Sequence, residues 1–152
     1  TVYRDMVGAS VAEYDPIGGD SVPVRFEDGV LCNAKQWCDV LKVEGAQVLA
    51  RYAGEYFSGQ PAITHNSYGS GEVYYIGTVG SQMLYDKLIR ELLDRAAIPY
   101  VAGLPSHVEL VERTDESQTL RFMFNNTAQP QQFKLHDVEI SLKPFEMRID
   151  MR

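Results

Sequence analysis

Apolar and polar positions alternate along most of this chain, and the alternation gives way to a helical period at one place. Between Ser81 and Ala97, Leu84, Leu88 and Leu92 recur every fourth residue, with Tyr85, Ile89, Leu93 and Ala96 beside them. Asp86, Lys87, Arg90, Glu91 and Asp94 fall mostly opposite. One broad apolar stripe backed by charge predicts an amphipathic helix lying on a sheet. Ser81 is placed to cap its start, and Pro99 stops it. Its three leucines are expected to bury against a sheet that includes Ala62–Asn66 and Glu72–Ile76, the segments just before it.

Upstream, the pattern is one of short strands separated by turn residues. Ser10–Asp15 reads as an extended segment closed by Pro16 and Gly18-Gly19. Val22–Phe26 alternates and turns at Glu27-Asp28-Gly29, and Val48–Tyr52 is a further short strand. Ala62–Asn66 and Glu72–Ile76 flank Tyr68-Gly69-Ser70-Gly71, the pattern of a hairpin. Asn33–Val43 fits two periods: Ala34, Trp37 and Leu41 are near helical spacing, while Trp37, Cys38 and Val40 favour a strand, the reading we adopt. Val2, Met6 and Val7 have helical spacing, with Gly8 to end the helix.

Beyond Ala102-Gly103-Leu104-Pro105, a linker by composition, the period is two to the end. Val108–Arg113, Leu120–Asn125, Gln132–Leu135, Val138–Leu142 and Glu146–Met151 predict five antiparallel strands. The switch of period predicts two domains: an α/β layer over residues 1–103 and a small all-β sandwich or meander over residues 104–152.

Charge narrows the function. The net charge is −7, from 14 basic and 21 acidic side chains, and both parts are acidic: 8 against 13 before residue 104, 6 against 8 after it. Without a cluster of Lys and Arg, neither nucleic acid nor an anionic membrane surface is an expected partner. No apolar run approaches the roughly 20 residues of a membrane span. The first residues lack the charge-then-apolar pattern of a signal peptide, so a cytoplasmic location is expected. A start at Thr1 reads as a piece of a larger protein.

Candidate chemistry is sparse. Cys32 and Cys38 are not spaced as a metal pair, and His65, His107 and His136 are scattered, so no metal and no cofactor are expected. Gly69-Ser70-Gly71 precedes a strand, where a phosphate loop needs a helix. Ser70 lacks the outer glycines of a nucleophile elbow. The acid pairs Glu13/Asp15, Glu27/Asp28 and Asp115/Glu116 lack the rigid cleft that a pair of glycosidase carboxylates requires, and no catalytic residue is assigned. Asn125-Asn126-Thr127 matches a glycosylation pattern but reads as a polar turn. The aromatic residues Tyr52, Tyr56, Phe57, Tyr68, Tyr74 and Tyr75 divide between core and surface. Tyr52, Tyr56 and Phe57 are the candidate anchors of a protein interface, with a sugar platform as the second reading.

Several of these segments resemble the C-terminal part of the β-galactosidases of glycoside hydrolase family 42. Val7–Pro16, Trp37–Leu41, Val48–Tyr52, Tyr56–Asn66 and Gly69–Thr78 resemble that family's trimerisation domain. Val108–Arg113 and Phe122–Thr127 resemble its small C-terminal β-domain. The resemblance implies a partial flavodoxin-like α/β domain of three layers, followed by the β-domain. It implies a parent that hydrolyses terminal β-D-galactosides with retention and assembles as a homotrimer. It also implies that the catalytic glutamates lie on an upstream (β/α)8 barrel of the same polypeptide, so that this chain alone is inactive. Self-association and that barrel are then the expected partners. The alternative is a free-standing carbohydrate- or protein-binding module with a tyrosine-lined face.

Overall fold

The computed structural model describes residues 3–151, and these form two compact units that divide between Ala96 and Ala97. The first unit begins with a single helical turn, α1 (Arg4–Val7). Gly8 ends it in the left-handed conformation at φ +65°, which a side chain would strain, and its N–H donates to the Arg4 carbonyl. Val2, the first residue of the expected helical spacing, lies outside the described residues.

Seven strands follow: β1 (Ala9–Pro16), β2 (Val22–Phe26), β3 (Leu31–Val43), β4 (Gln47–Tyr52), β5 (Pro61–Tyr68), β6 (Gly71–Ile76) and β7 (Thr78–Gly80). They form one sheet in the order β1-β3-β2-β4-β5-β6, with β7 also on β3. The Asn33–Val43 segment is strand throughout. It can be nothing else, because it pairs with β1, β2 and β7 along different parts of its length. Tyr68 pairs with Gly71, so Gly69 and Ser70 make a two-residue hairpin loop, with Gly69 at φ +60°.

The sheet closes on itself. β6 runs through Gly77 into β7, and β7 returns to β3 with Ala34 opposite Gly80 and Cys38 opposite Thr78. At the seam, Gly77 donates to the Ala62 carbonyl (2.9 Å) and accepts from Asp39 N–H (2.6 Å). A Cβ on Gly77 would lie 3.1 Å from Ala62 O and 3.2 Å from Asp39 O, so the close approach favours glycine. Among the described strands of this sheet, only β1 hangs outside the ring, as an edge strand.

Inside lies a core that includes Val24, Cys38, Ala50, Tyr52 and Ile63. The helix α2 (Gln82–Arg95) joins it through Leu84 and Leu88, both essentially inaccessible, while Leu92 is half-buried against the same cluster. The helix rests on β3 and β7. Ser81 has the extended backbone of a cap residue, but its hydroxyl accepts from Asn33 N–H instead of capping the helix.

The expected α/β, flavodoxin-like fold is therefore corrected. Strand predominates, and among the described residues every pairing is antiparallel and the two helices hold 4 and 14 residues. A flavodoxin-like layer needs parallel strands joined by crossovers of about a dozen residues or more, with helices on both faces. The connections between β1 and β7 are too short for helical crossovers. The one long helix is followed by no strand that re-enters the first sheet.

The second unit contains β8 (Val108–Thr114), β9 (Thr119–Asn125), β10 (Gln131–Leu135), β11 (Val138–Leu142) and β12 (Met147–Met151). These lie where the alternation places them. They divide into a three-stranded sheet, β12-β9-β8, and a two-stranded one, β10-β11. Val108, Met123, Phe133, Leu135, Ile140 and Leu142 form their shared core. Asn125 ties the loops together from a buried position. Its amide donates to the carbonyls of Gln129 (2.7 Å) and Lys143 (2.8 Å), and its Oδ1 accepts from Thr127.

Candidate functional site

The three aromatic candidates do not share a surface. Tyr52 is 1% exposed. Its hydroxyl donates to the carbonyls of Gly77 (2.8 Å) and Asp39 (3.2 Å), and burial raises its pKa far above the ordinary phenol value. Phe57 is also buried and meets the Tyr52 ring edge-on at 5.0 Å. Tyr56, by contrast, is 69% exposed, with its ring edge-on to Phe57 at 4.9 Å. The Tyr56 hydroxyl donates to Glu13 Oε1 at 2.9 Å, and that hydrogen bond pushes its pKa up to about 12. Tyr52 and Phe57 are thus the floor beneath Tyr56, the one candidate that offers surface.

Tyr56 has neighbours that the sequence spacing did not single out. Side chains alternate between faces along a strand, so Glu13 and Tyr14 of β1 diverge. Glu13 goes to Tyr56; Tyr14, also exposed, stacks on Trp37 at 6.3 Å with an interplanar angle of 30°. The free strand β1 is therefore flanked by Tyr56 on one face and the Tyr14–Trp37 pair on the other.

A mainly apolar groove of about 380 Å³ lies at the other end of β1, lined by residues that include Met6, Val7, Val11, Leu41 and Tyr75. Asn66 holds α1 over it, donating to the carbonyls of Met6 (2.9 Å) and Asp5 (3.3 Å). Arg4 pairs with Glu44 and lowers the pKa of that carboxyl. Tyr75 donates to Asp39 Oδ2 at 2.7 Å, and burial, then Asp39, pushes its pKa up to about 12.

The remaining chemical candidates resolve into structural roles. Glu27 faces Arg51 at 3.6 Å, while Asp28 is paired with Lys87, which lowers its pKa. The two carboxylates thus serve different partners. Asp115 accepts the N–H groups of Ser117 and Gln118, which hold its pKa down in a tight turn. Glu72 is held low by His65 and then Ser67; because the serine bonds the acid and not the imidazole, these three do not make a nucleophile with its base. Cys32 and Cys38 are buried free thiols, and burial pushes Cys38 up to about 11, away from thiolate. Ser70 sits in the hairpin loop, and the buried Asn125 amide is unavailable for modification. No helix among the described residues is long and apolar enough to cross a membrane.

Comparison with known proteins yields two family matches in order along the chain. Residues 2–99 match the β-galactosidase trimerisation domain, and residues 107–149 match the β-galactosidase C-terminal domain. Among curated relatives, β-galactosidase BgaA of Clostridium cellulovorans is 36% identical over 124 residues, 82% of this chain and 19% of its own length. β-Galactosidase BgaB of Geobacillus sp. is 30% identical over 81% of this chain and 18% of its own. This chain thus spans about one fifth of the length of these relatives. Among solved structures, the β-galactosidase of Rahnella sp. R3 superposes with a TM-score of 0.85 at 25% identity, covering 98% of this chain and 24% of that one.

Proposed function

This chain belongs to the glycoside hydrolase family 42 β-galactosidases, of which it carries the trimerisation and C-terminal domains, and from that premise we propose that it is the non-catalytic oligomerisation and C-terminal region of such an enzyme. The parent, on this reading, hydrolyses terminal β-D-galactosides with retention on a barrel elsewhere in the polypeptide, and assembles as a homotrimer.

The observation that carries the proposal is the succession of the two domain matches along almost the whole chain. The geometry supports the non-catalytic role. Retaining hydrolysis needs two carboxyl groups about 5–5.5 Å apart in a rigid cleft. In each pair weighed, at least one acid is instead engaged: Glu13 by Tyr56, Glu27 by Arg51, Asp28 by Lys87 and Asp115 by turn amides.

Self-association of the first unit is assigned to the β1 side, with Tyr56 as an anchor beside the Tyr14–Trp37 stack. An exposed aromatic with its hydroxyl already satisfied brings apolar area to an interface at little desolvation cost. Two measurements test this. The chain alone and the full-length parent are assayed with a chromogenic β-galactoside; turnover by the chain alone would refute the non-catalytic reading. The parent's mass is then followed by light scattering for wild type and for Tyr14→Ala/Tyr56→Ala. A trimer that persists unchanged in the double variant down to nanomolar protein would remove the β1 side from the interface.

A further inference from the structure

The last strand of the second unit is an edge. Among the described residues β12 pairs with β9 on one side only, with Met147 opposite Phe124, Ile149 opposite Phe122 and Met151 opposite Leu120. Met147, Ile149 and Met151 are 57%, 51% and 69% exposed. Edge strands are ordinarily protected by charge, proline or a bulge, because their free backbone groups template further pairing. β12 has no proline, and its pairing with β9 runs without a bulge. Its two charges, Arg148 and Asp150, lie on the inward face, opposite Met123 and Arg121; inward charge is one of the devices that blunt an edge, but these two are of opposite sign and neutralise each other within the strand.

The strand reads Met-Arg-Ile-Asp-Met, which is complementary to itself when reversed. In an antiparallel pair of two copies centred on Ile149, Met147 meets the other Met151, Ile149 meets itself, and Arg148 meets the other Asp150. A parallel in-register pair would set Arg148 against Arg148 and Asp150 against Asp150, which repel. Within one copy Arg148 Nε already donates to Asp150 Oδ1 at 2.8 Å and Nη2 to Oδ2 at 3.2 Å. The guanidinium and carboxylate are therefore preorganised in one plane for a four-charge network across a two-fold axis.

We propose that β12 is a self-association surface whose partner is a second copy of this chain, joined antiparallel about Ile149 so that two three-stranded sheets become one of six. This surface is separate from the trimerisation proposed for the first unit and does not depend on it. Five residues of pairing place the contact among small, weak protein interfaces.

The test is mass against concentration for the intact chain, by light scattering up to about 0.5 mM, on four forms: wild type, Arg148→Asp, Asp150→Arg and the double exchange. Each single variant sets like charges opposite one another and is expected to halve the mass reached by wild type. The double exchange restores complementarity and is expected to recover it, a rescue that a merely misfolded variant would not show. If the first unit also trimerises, the single variants stop at the trimer while wild type grows beyond it, so the gain in mass belongs to β12 in either case. Ile149→Cys in the full-length parent is expected to form a disulfide with its own copy under mild oxidation. Equal masses for all four forms, or no recovery in the double exchange, would overturn the proposal. So would a cysteine at 149 that is shielded from thiol reagents yet does not cross-link, because another surface of the polypeptide would then cover the strand.

Discussion

The Tyr52 hydroxyl lies 2.8 Å from the Gly77 carbonyl and donates to it from inside the first sheet, at the seam where that sheet closes. The phenol thereby ties β4 to the junction of β6 and β7. Removing it by Tyr52→Phe deletes the bond without emptying the site. The Gly77 carbonyl keeps the Asp39 N–H at 2.6 Å, so it is not left unsatisfied. The expected loss is about 1 kcal/mol, the net worth of one hydrogen bond, and not the ~3 kcal/mol of an orphaned buried group. Urea melts of the two proteins check it.

Leu88→Ala opens a cavity in the first unit's core, where Leu88 is buried beside Leu84. A loss of about 2–5 kcal/mol is expected. Leu92→Ala, at a half-buried position, is expected to cost less than half as much. Equal effects at the two positions would mean that the helix is rotated relative to this packing.

Thr64 offers a gain. Among the described residues its hydroxyl is buried without a hydrogen-bond partner. Thr64→Val keeps the shape and removes the unpaired polar group, and an increase of roughly 0.5–1.5 kcal/mol is expected. Thermal melting that moves down instead of up would show that the hydroxyl has found a partner in solution.

Gly8→Ala tests how α1 is held. The new Cβ would sit 2.8 Å from Asn66 Cγ and 2.9 Å from the Ala46 nitrogen, at a φ that disfavours any side chain. A cost of about 1–3 kcal/mol is expected. Hydrogen exchange should show the α1 amides and the Asn66 side chain loosening together before β4 and β5 do.

At alkaline pH, Tyr52 and Tyr75 are expected to limit stability. Both phenols have folded pKa values raised above the ordinary 10.0 by burial, Tyr75 to about 12. The unfolded chain therefore releases these protons first. Their stabilisation is complete below pH 10 and is lost as pH rises through the folded values. Denaturation midpoints measured between pH 9 and 12 should fall, and Tyr75→Phe should flatten the fall.

What could be read before the structure was known follows a physical division. β9, β10 and β11 announce themselves because one face of each is buried, so alternation survives in the sequence, while the hairpin at Gly69-Ser70 is marked by its turn residues, since β5 is buried along most of its length. Leu84 and Leu88 do the same for the helix. Closure through Gly77 left no such trace. β7 has three residues, too few for a period, and the crowding that favours glycine there comes from Asp39 and Ala62, distant in sequence. Tyr52, singled out because tyrosine is enriched at interfaces, lies inside the first unit, where two backbone carbonyls satisfy its polar tip. The α/β layer is read from one strong helix among short strands and its flavodoxin-like form from resemblance; both fail because the strands are joined by connections too short for helical crossovers. The pairing of Glu13 with Tyr56 was illegible for a simpler reason, since 43 residues separate them.

The closed ring also sets an order of events during synthesis. β3 is complete once Val43 has emerged from the ribosome, but the strand that seals its flank ends at Gly80. For the intervening residues β3 waits with part of its length unpaired, a template for any strand that arrives early. The nascent chain is thus most exposed to mispairing in the interval before Gly77 appears, and a pause in translation beyond Gly80 would favour the correct ring where a pause within β5 or β6 would prolong the hazard.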